Sequence, residues 1–143
     1  MHRKLREVVA GQTVVSASAS TTVRAAAVTM AQKNIGAIVV VDAAGKLEGL
    51  FTERDVLNRV VARSLDPDTT PLSAVMTAKL QTASPDQPLA HALHMMFEGG
   101  FRHVPVVEGG LPIGMVSARN ALGPEMVEFE KELKDRDHIT EIL

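Results

Sequence analysis

The chain has 143 residues, 45% hydrophobic, 22% charged and 3% aromatic, with a formal net charge of −2 and no cysteine, tryptophan or tyrosine. That balance fits a globular protein of one ordinary domain or two small lobes, and not a disordered chain. It excludes disulfides, thiolate nucleophiles and cysteine zinc sites, and it leaves no general electrostatic pull toward DNA or anionic membrane.

The first residues, MHRKLREVVAGQT, carry charge with no apolar run behind them, so they are not read as a signal peptide. No stretch approaches the roughly 18 apolar residues of a membrane span. A cytoplasmic protein without a membrane partner is therefore expected. The scarcity of aromatics removes base stacking, and no nucleic-acid partner is expected either.

A short extended piece, Val14–Ser16, follows the lead-in LREVV. Val23, Ala26, Ala27 and Met30 then recur at the spacing of a one-sided helix. The continuous apolar run AIVVV reads as a strand buried on both faces. AAGK turns the chain into a second strand, LEGLF, and a helix opens at Thr52 with Val56, Leu57, Val60 and Val61 as its inner side. SLDPDTTP is the polar linker that ends this unit.

The same order then repeats. LSAVM matches the lead-in, and Leu80–Thr82 matches the extended piece. Leu89, Ala92, Leu93, Met96 and Phe97 form the helix face, VPVV the buried strand, EGG the turn and PIGMV the second strand. Ala17 falls on Ala83, Ala26 on Ala92, Met30 on Met96, Val40 on Val106 and Gly49 on Gly114. The expected organisation is a first unit over residues 1–63, a linker over 64–71, a second unit over 72–123, and a C-terminal helix or tail over 124–143. That tail would carry Met126, Phe129 and Leu133 on one side.

One motif recurs with chemistry in it: Gly49-Leu50-Phe51-Thr52-Glu53-Arg54-Asp55 and Gly114-Met115-Val116-Ser117-Ala118-Arg119-Asn120. A strand here runs into a helix N-terminus, where unpaired N–H groups and the helix dipole favour an anion such as phosphate. The hydroxyl can bond that anion, the acid one turn on can accept from a ribose, and glycine lets a ligand come close. Taken singly, Thr-x-x-Asp is equally a capping box. Arg54 and Arg119 either add charge at the phosphate or point to solvent.

These marks, IGAIVVVDAAGKLEGLFTERD and FRHVPVVEGGLPIGMVSARN, resemble the CBS-domain family, whose tandem repeats form the Bateman module. The resemblance covers about residues 5–122. It implies an α/β (α+β) fold of two βαββα repeats packed as a pseudo-twofold pair with an extra C-terminal helix, and two clefts for AMP, ADP, ATP or another adenosyl compound such as S-adenosylmethionine or NAD. Carried over, the first site comprises Ser16, Ala17, Gly36, Ala37, Ile38, Gly49, Thr52, Arg54 and Asp55. The second comprises Thr82, Ala83, Arg102, His103, Val104, Pro105, Gly114, Ser117, Arg119 and Asn120. Asn120 stands where the family usually has aspartate, so the Asp55 cleft is expected to be the better ribose binder.

His91 and His94 share one helix flank without an acid cluster and are read as surface residues, with no metal expected. Met30, Met95 and Met96 read as core filler. The chain has no GxxxxGK[ST], no GxGxxG and no Ser–His–Asp arrangement, so no enzyme and no catalytic cofactor are expected. The expected protein is a sensor module, homodimeric, acting on an unidentified regulated protein. The rival is a nucleotide-independent dimerisation or docking platform.

Overall fold

The computed structural model describes residues 3–121, 123 and 131–136. The first repeat holds β1 (Ser16–Ala17), α2 (Val23–Lys33), β2 (Ala37–Val41), β3 (Leu47–Thr52) and α3 (Glu53–Asp55), which continues as a π-helical segment over Val56–Val61. The second holds α4 (Leu89–Gly99), β4 (His103–Glu108), β5 (Leu111–Ser117) and α5 (Ala118–Ala121). A short helix α1 (Leu5–Val8) precedes the first repeat, and a 3-10 turn (Leu72–Ala74) precedes the second.

The two repeats are built on one plan. In the first sheet β1 runs parallel to β2, pairing Ala17 with Val40, and β2 runs antiparallel to β3. In the second, β4 and β5 are antiparallel, and the first strand is reduced to a parallel bridge between Ala83 and Val106. Each hairpin shifts register at the matching place, after Val40 and after Val106. The helix preceding each buried strand ends on a left-handed residue, Asn34 (φ 52°) or Gly100 (φ 69°). Both residue types are suited to that conformation.

The apolar run of β2 is buried on both faces because it serves two cores. Ile38 and Val40 pack with Val23, Ala26, Met30 and Phe51 beneath α2. Ala37 and Val39 face the other way, toward Leu50, Leu80 and Met115, where the repeats meet.

The lead-ins are exchanged. Leu5 and Val9 lie in the core of the second repeat, among Leu89, Ala92, Val104 and Val116. Leu72 and Val75 lie in the core of the first, with Val23 and Phe51. Backbone bonds fix the exchange at both ends. Leu89 N–H donates to Arg3 (2.8 Å) and Leu5 N–H to Gln87 (2.9 Å), while Val23 N–H donates to Thr70 and Leu72 N–H to Thr21 (2.9 Å each). The linker is thus packed against α2, where its carbonyls satisfy first-turn donors that no helical partner can reach.

Exchange also explains the motif glycines. A Cβ on Gly114 would sit 2.4 Å from the Cβ of Val9, and one on Gly49 would sit 2.5 Å from the Sδ of Met76. The space on the Cβ side of each glycine is filled by the exchanged lead-in. Gly114→Ala should therefore cost about 1–3 kcal/mol by overpacking. Gly49→Ala should cost less, because the Met76 thioether can swing aside. Denaturant midpoints of the two variants check this order.

Two helix faces differ from expectation. Val60 is buried, but Leu57 and Val61 are 62% and 64% exposed, because the segment winds as a π-helix with Ala62 N–H bonded to Leu57. The wider turn of that winding keeps Val56 and Val60 inward and carries their neighbours out. On α4, Leu89, Ala92 and Met96 fill the inner stripe and Phe97 is left 87% exposed. In the expected C-terminal helix, residues 131–136 are helical with Leu133 exposed; Met126 and Phe129 lie outside the described residues.

Candidate functional site

Two clefts open between the repeats. The larger, of about 1170 Å³, is walled on one side by residues 12–15, α2 and the start of β2. Its other wall is the start of β4 and the β5–α5 junction. The smaller, of about 310 Å³, lies between Leu50, Thr52, Arg54 and Leu57 of the first repeat and Phe101, Arg102 and His103 of the second. Glu53, Arg102 and His103 border both, so they form a shared partition.

The larger cleft draws its expected residues from both sets: Gly36 and Ala37 from the first, and Arg102, His103, Gly114, Ser117 and Arg119 from the second. Pairing about a pseudo-twofold sets the β2 edge of one repeat against the strand–helix junction of the other. Thr52 and Arg54 border the smaller cleft. Ile38 and Val104 are core residues, Ala83 and Pro105 are buried, Ser16 and Ala17 pair with β2, and Thr82 is exposed; none of them lines either cleft. Asn120 lies on α5, but its side chain is outside the described residues.

Asp55, expected to face a ribose, is turned inward. Its carboxylate accepts from the Thr52 N–H (3.0 Å) and pairs with Arg59 (3.5 Å), while its own N–H donates to the Thr52 hydroxyl (3.3 Å). This is a complete capping box. Arg59 also donates to the carbonyls of Val75 and Met76 (3.1 Å each), so Asp55 helps to anchor the exchanged lead-in. Asp55 lines neither cleft.

The first backbone donor at each helix start, expected to help hold phosphate, is also engaged. Glu53 N–H donates to Gly36 (3.0 Å), and Ala118 N–H donates to Arg102 (3.1 Å). Side chains also offer anion recognition in the larger cleft. The guanidinium groups of Arg102 and Arg119 border it with no hydrogen-bond or ion-pair partner among the described residues. Ala27, Met30, Ile35 and Val56 make the opposite surface apolar.

Sequence reasoning missed the segment Gln12–Val15, which closes the cleft floor. The Gln12 amide donates to the Met115 carbonyl (3.1 Å) and accepts from its N–H (2.9 Å), joining the segment to β5. No local pattern marks a glutamine whose partner is 103 residues away.

His103 is half-buried in the partition, near Glu53: a Cβ on Gly36 would sit 3.1 Å from Glu53 Oε1 and 3.4 Å from His103 Nε2. Burial lowers the His103 pKa, the Glu53 carboxylate opposes it, and Arg102 adds to the lowering. The unfolded chain therefore takes up this proton first as pH falls, and the contribution of His103 to stability declines below about pH 6.5. His103→Gln should flatten the acid side of the melting-temperature profile. His91 and His94 are both exposed, and His94 faces Glu98 at 3.1 Å. Among the described residues no group of three or more His, Cys, Asp or Glu side chains could hold a metal, and no helix is long and apolar enough to cross a membrane.

The family model that matches the chain is the CBS domain, over residues 5–62 and 72–123. The CBS domain-containing protein CBSCBSPB3 of Arabidopsis thaliana is 37% identical over 111 residues, covering 78% of this chain and 20% of that protein. The chain thus spans about a fifth of the length of such plant relatives. A solved protein with CBS domains from Burkholderia ambifaria MC40-6 superposes with a TM-score of 0.81 at 28% identity, covering 87% of this chain and 95% of that one. The CBS domain protein PAE2072 of Pyrobaculum aerophilum, complexed with AMP, gives a TM-score of 0.76 at 26% identity over 82% of this chain and 89% of that one.

Proposed function

Because the chain belongs to the CBS domain family, we propose that it is a regulatory module that binds an adenosyl nucleotide and performs no chemistry on it. The observation that carries this reading is the larger cleft, where Ser117, Arg102 and Arg119 stand across from the apolar surface of α2 and β2. A guanidinium pair suits phosphate, and the apolar wall suits a base. The AMP complex of the Pyrobaculum relative supports an adenosyl ligand. AMP, ADP, ATP, S-adenosylmethionine and NAD are the candidates. Asn120, on the same short helix, is the proposed ribose contact.

A ligand that binds one arrangement of the repeats better than another shifts the population toward it, and that shift is the signal. A regulated protein would read it in the cytoplasm. Exposed Leu57, Val61 and Phe97 give a second copy an apolar surface to cover, and a homodimer is the proposed assembly.

Calorimetry and thermal shift with the five candidates test the reading. A true ligand at 100 times its dissociation constant stabilises by about 2.7 kcal/mol. Silence across all five would favour the docking platform instead. Light scattering on the same samples should give a dimer, and a monomer with and without nucleotide would remove that part.

A further inference from the structure

We propose that the smaller cleft is closed from within, so that each chain takes one nucleotide, in the larger cleft. This rests on the nucleotide reading and assigns its site. The matched positions of the two repeats carry the argument. Where the first repeat brings Ile35 and Gly36 to the larger cleft, the second brings Phe101 and Arg102 to the smaller one. Larger side chains at the same places leave about 310 Å³ against about 1170 Å³.

The motif arginines differ in the same sense. Arg54 Nη1 donates across the smaller cleft to the carbonyl of Gly100 (2.9 Å), tying α3 of one repeat to the end of α4 in the other. Arg119 holds the equivalent position in the larger cleft, and the equivalent helix end there is Asn34. No hydrogen bond joins them among the described residues, so that cleft stays open. With the Asp55 carboxylate also turned into the capping box, the smaller cleft lacks room and has its motif arginine and motif carboxylate both engaged within the protein.

Titration calorimetry with AMP on the full chain reads the count. One equivalent is expected for the wild type, and two for Arg54→Ala/Phe101→Ile, which unties the latch and installs the first repeat's smaller residue. Arg54→Ala alone is a surface change. It should by itself admit a second, weaker equivalent, and it keeps the test valid if the double variant fails to fold. Two equivalents in the wild type would overturn the assignment, as would a count that stays at one in both variants. No heat from any of the three proteins is a different failure, because it removes the nucleotide reading itself.

Discussion

Leu5→Ala should lower stability by about 2–5 kcal/mol, the range for truncating a fully buried leucine, and it should loosen the second repeat rather than the first. Leu5 is fully buried, yet every core residue it joins beyond Val9 belongs to the second repeat: Ala83, Leu89, Ala92, Met96, Val104, Val106 and Val116. The same lead-in also supplies the backbone bonds between Leu5 and Gln87 and between Arg6 and Pro85. Native-state hydrogen exchange separates the two repeats, because locally weakened units open before the whole chain does. Amides of α4, β4 and β5 should lose protection first. Earlier loss in α2 and β2 would mean that the first 10 residues stabilise the repeat that follows them in sequence.

That exchange marks the limit of what was legible in the chain. Apolar period and turn residues are local, so α2, β2, β3, α4, β4 and β5 could be read from single segments. Which core a lead-in joins is not local. LREVV and LSAVM have the same pattern as each other, and nothing in either says that its leucine packs against the more distant unit. Leu57 and Phe97 failed for a related reason. An apolar residue at the border of a helical stripe is inward or outward according to the winding and the neighbouring strand, and the π-helical segment after Asp55 shifted the border.

The motif was legible as a motif but not as a site. Thr-x-x-Asp satisfied both a capping box and a ribose-and-phosphate reading, and the choice depended on Arg59 and the carbonyls of Val75 and Met76. A pseudo-twofold pair builds each cleft from opposite halves, which a repeat-by-repeat reading of the sequence does not display. Gly36 and Arg119 are thus brought to one cavity although they sit in different units.

Arg119→Gln should weaken nucleotide binding roughly ten- to a hundredfold, whereas Asp55→Ala should leave affinity unchanged and lower stability. The first figure follows from removing a charge-assisted bond to phosphate, worth about 1.5–3 kcal/mol, at about 1.4 kcal/mol per tenfold. The loss should shrink as salt rises, since Arg119 is exposed to solvent. Asp55 instead holds a helix cap and a buried partner of Arg59, so its loss falls on the fold, by about 1–3 kcal/mol. Parallel calorimetry and denaturant titration on the two variants separate binding from folding. The reverse pattern, affinity lost in Asp55→Ala and kept in Arg119→Gln, would place the ligand beside Thr52 and require the Asp55 carboxylate to leave its cap when nucleotide arrives.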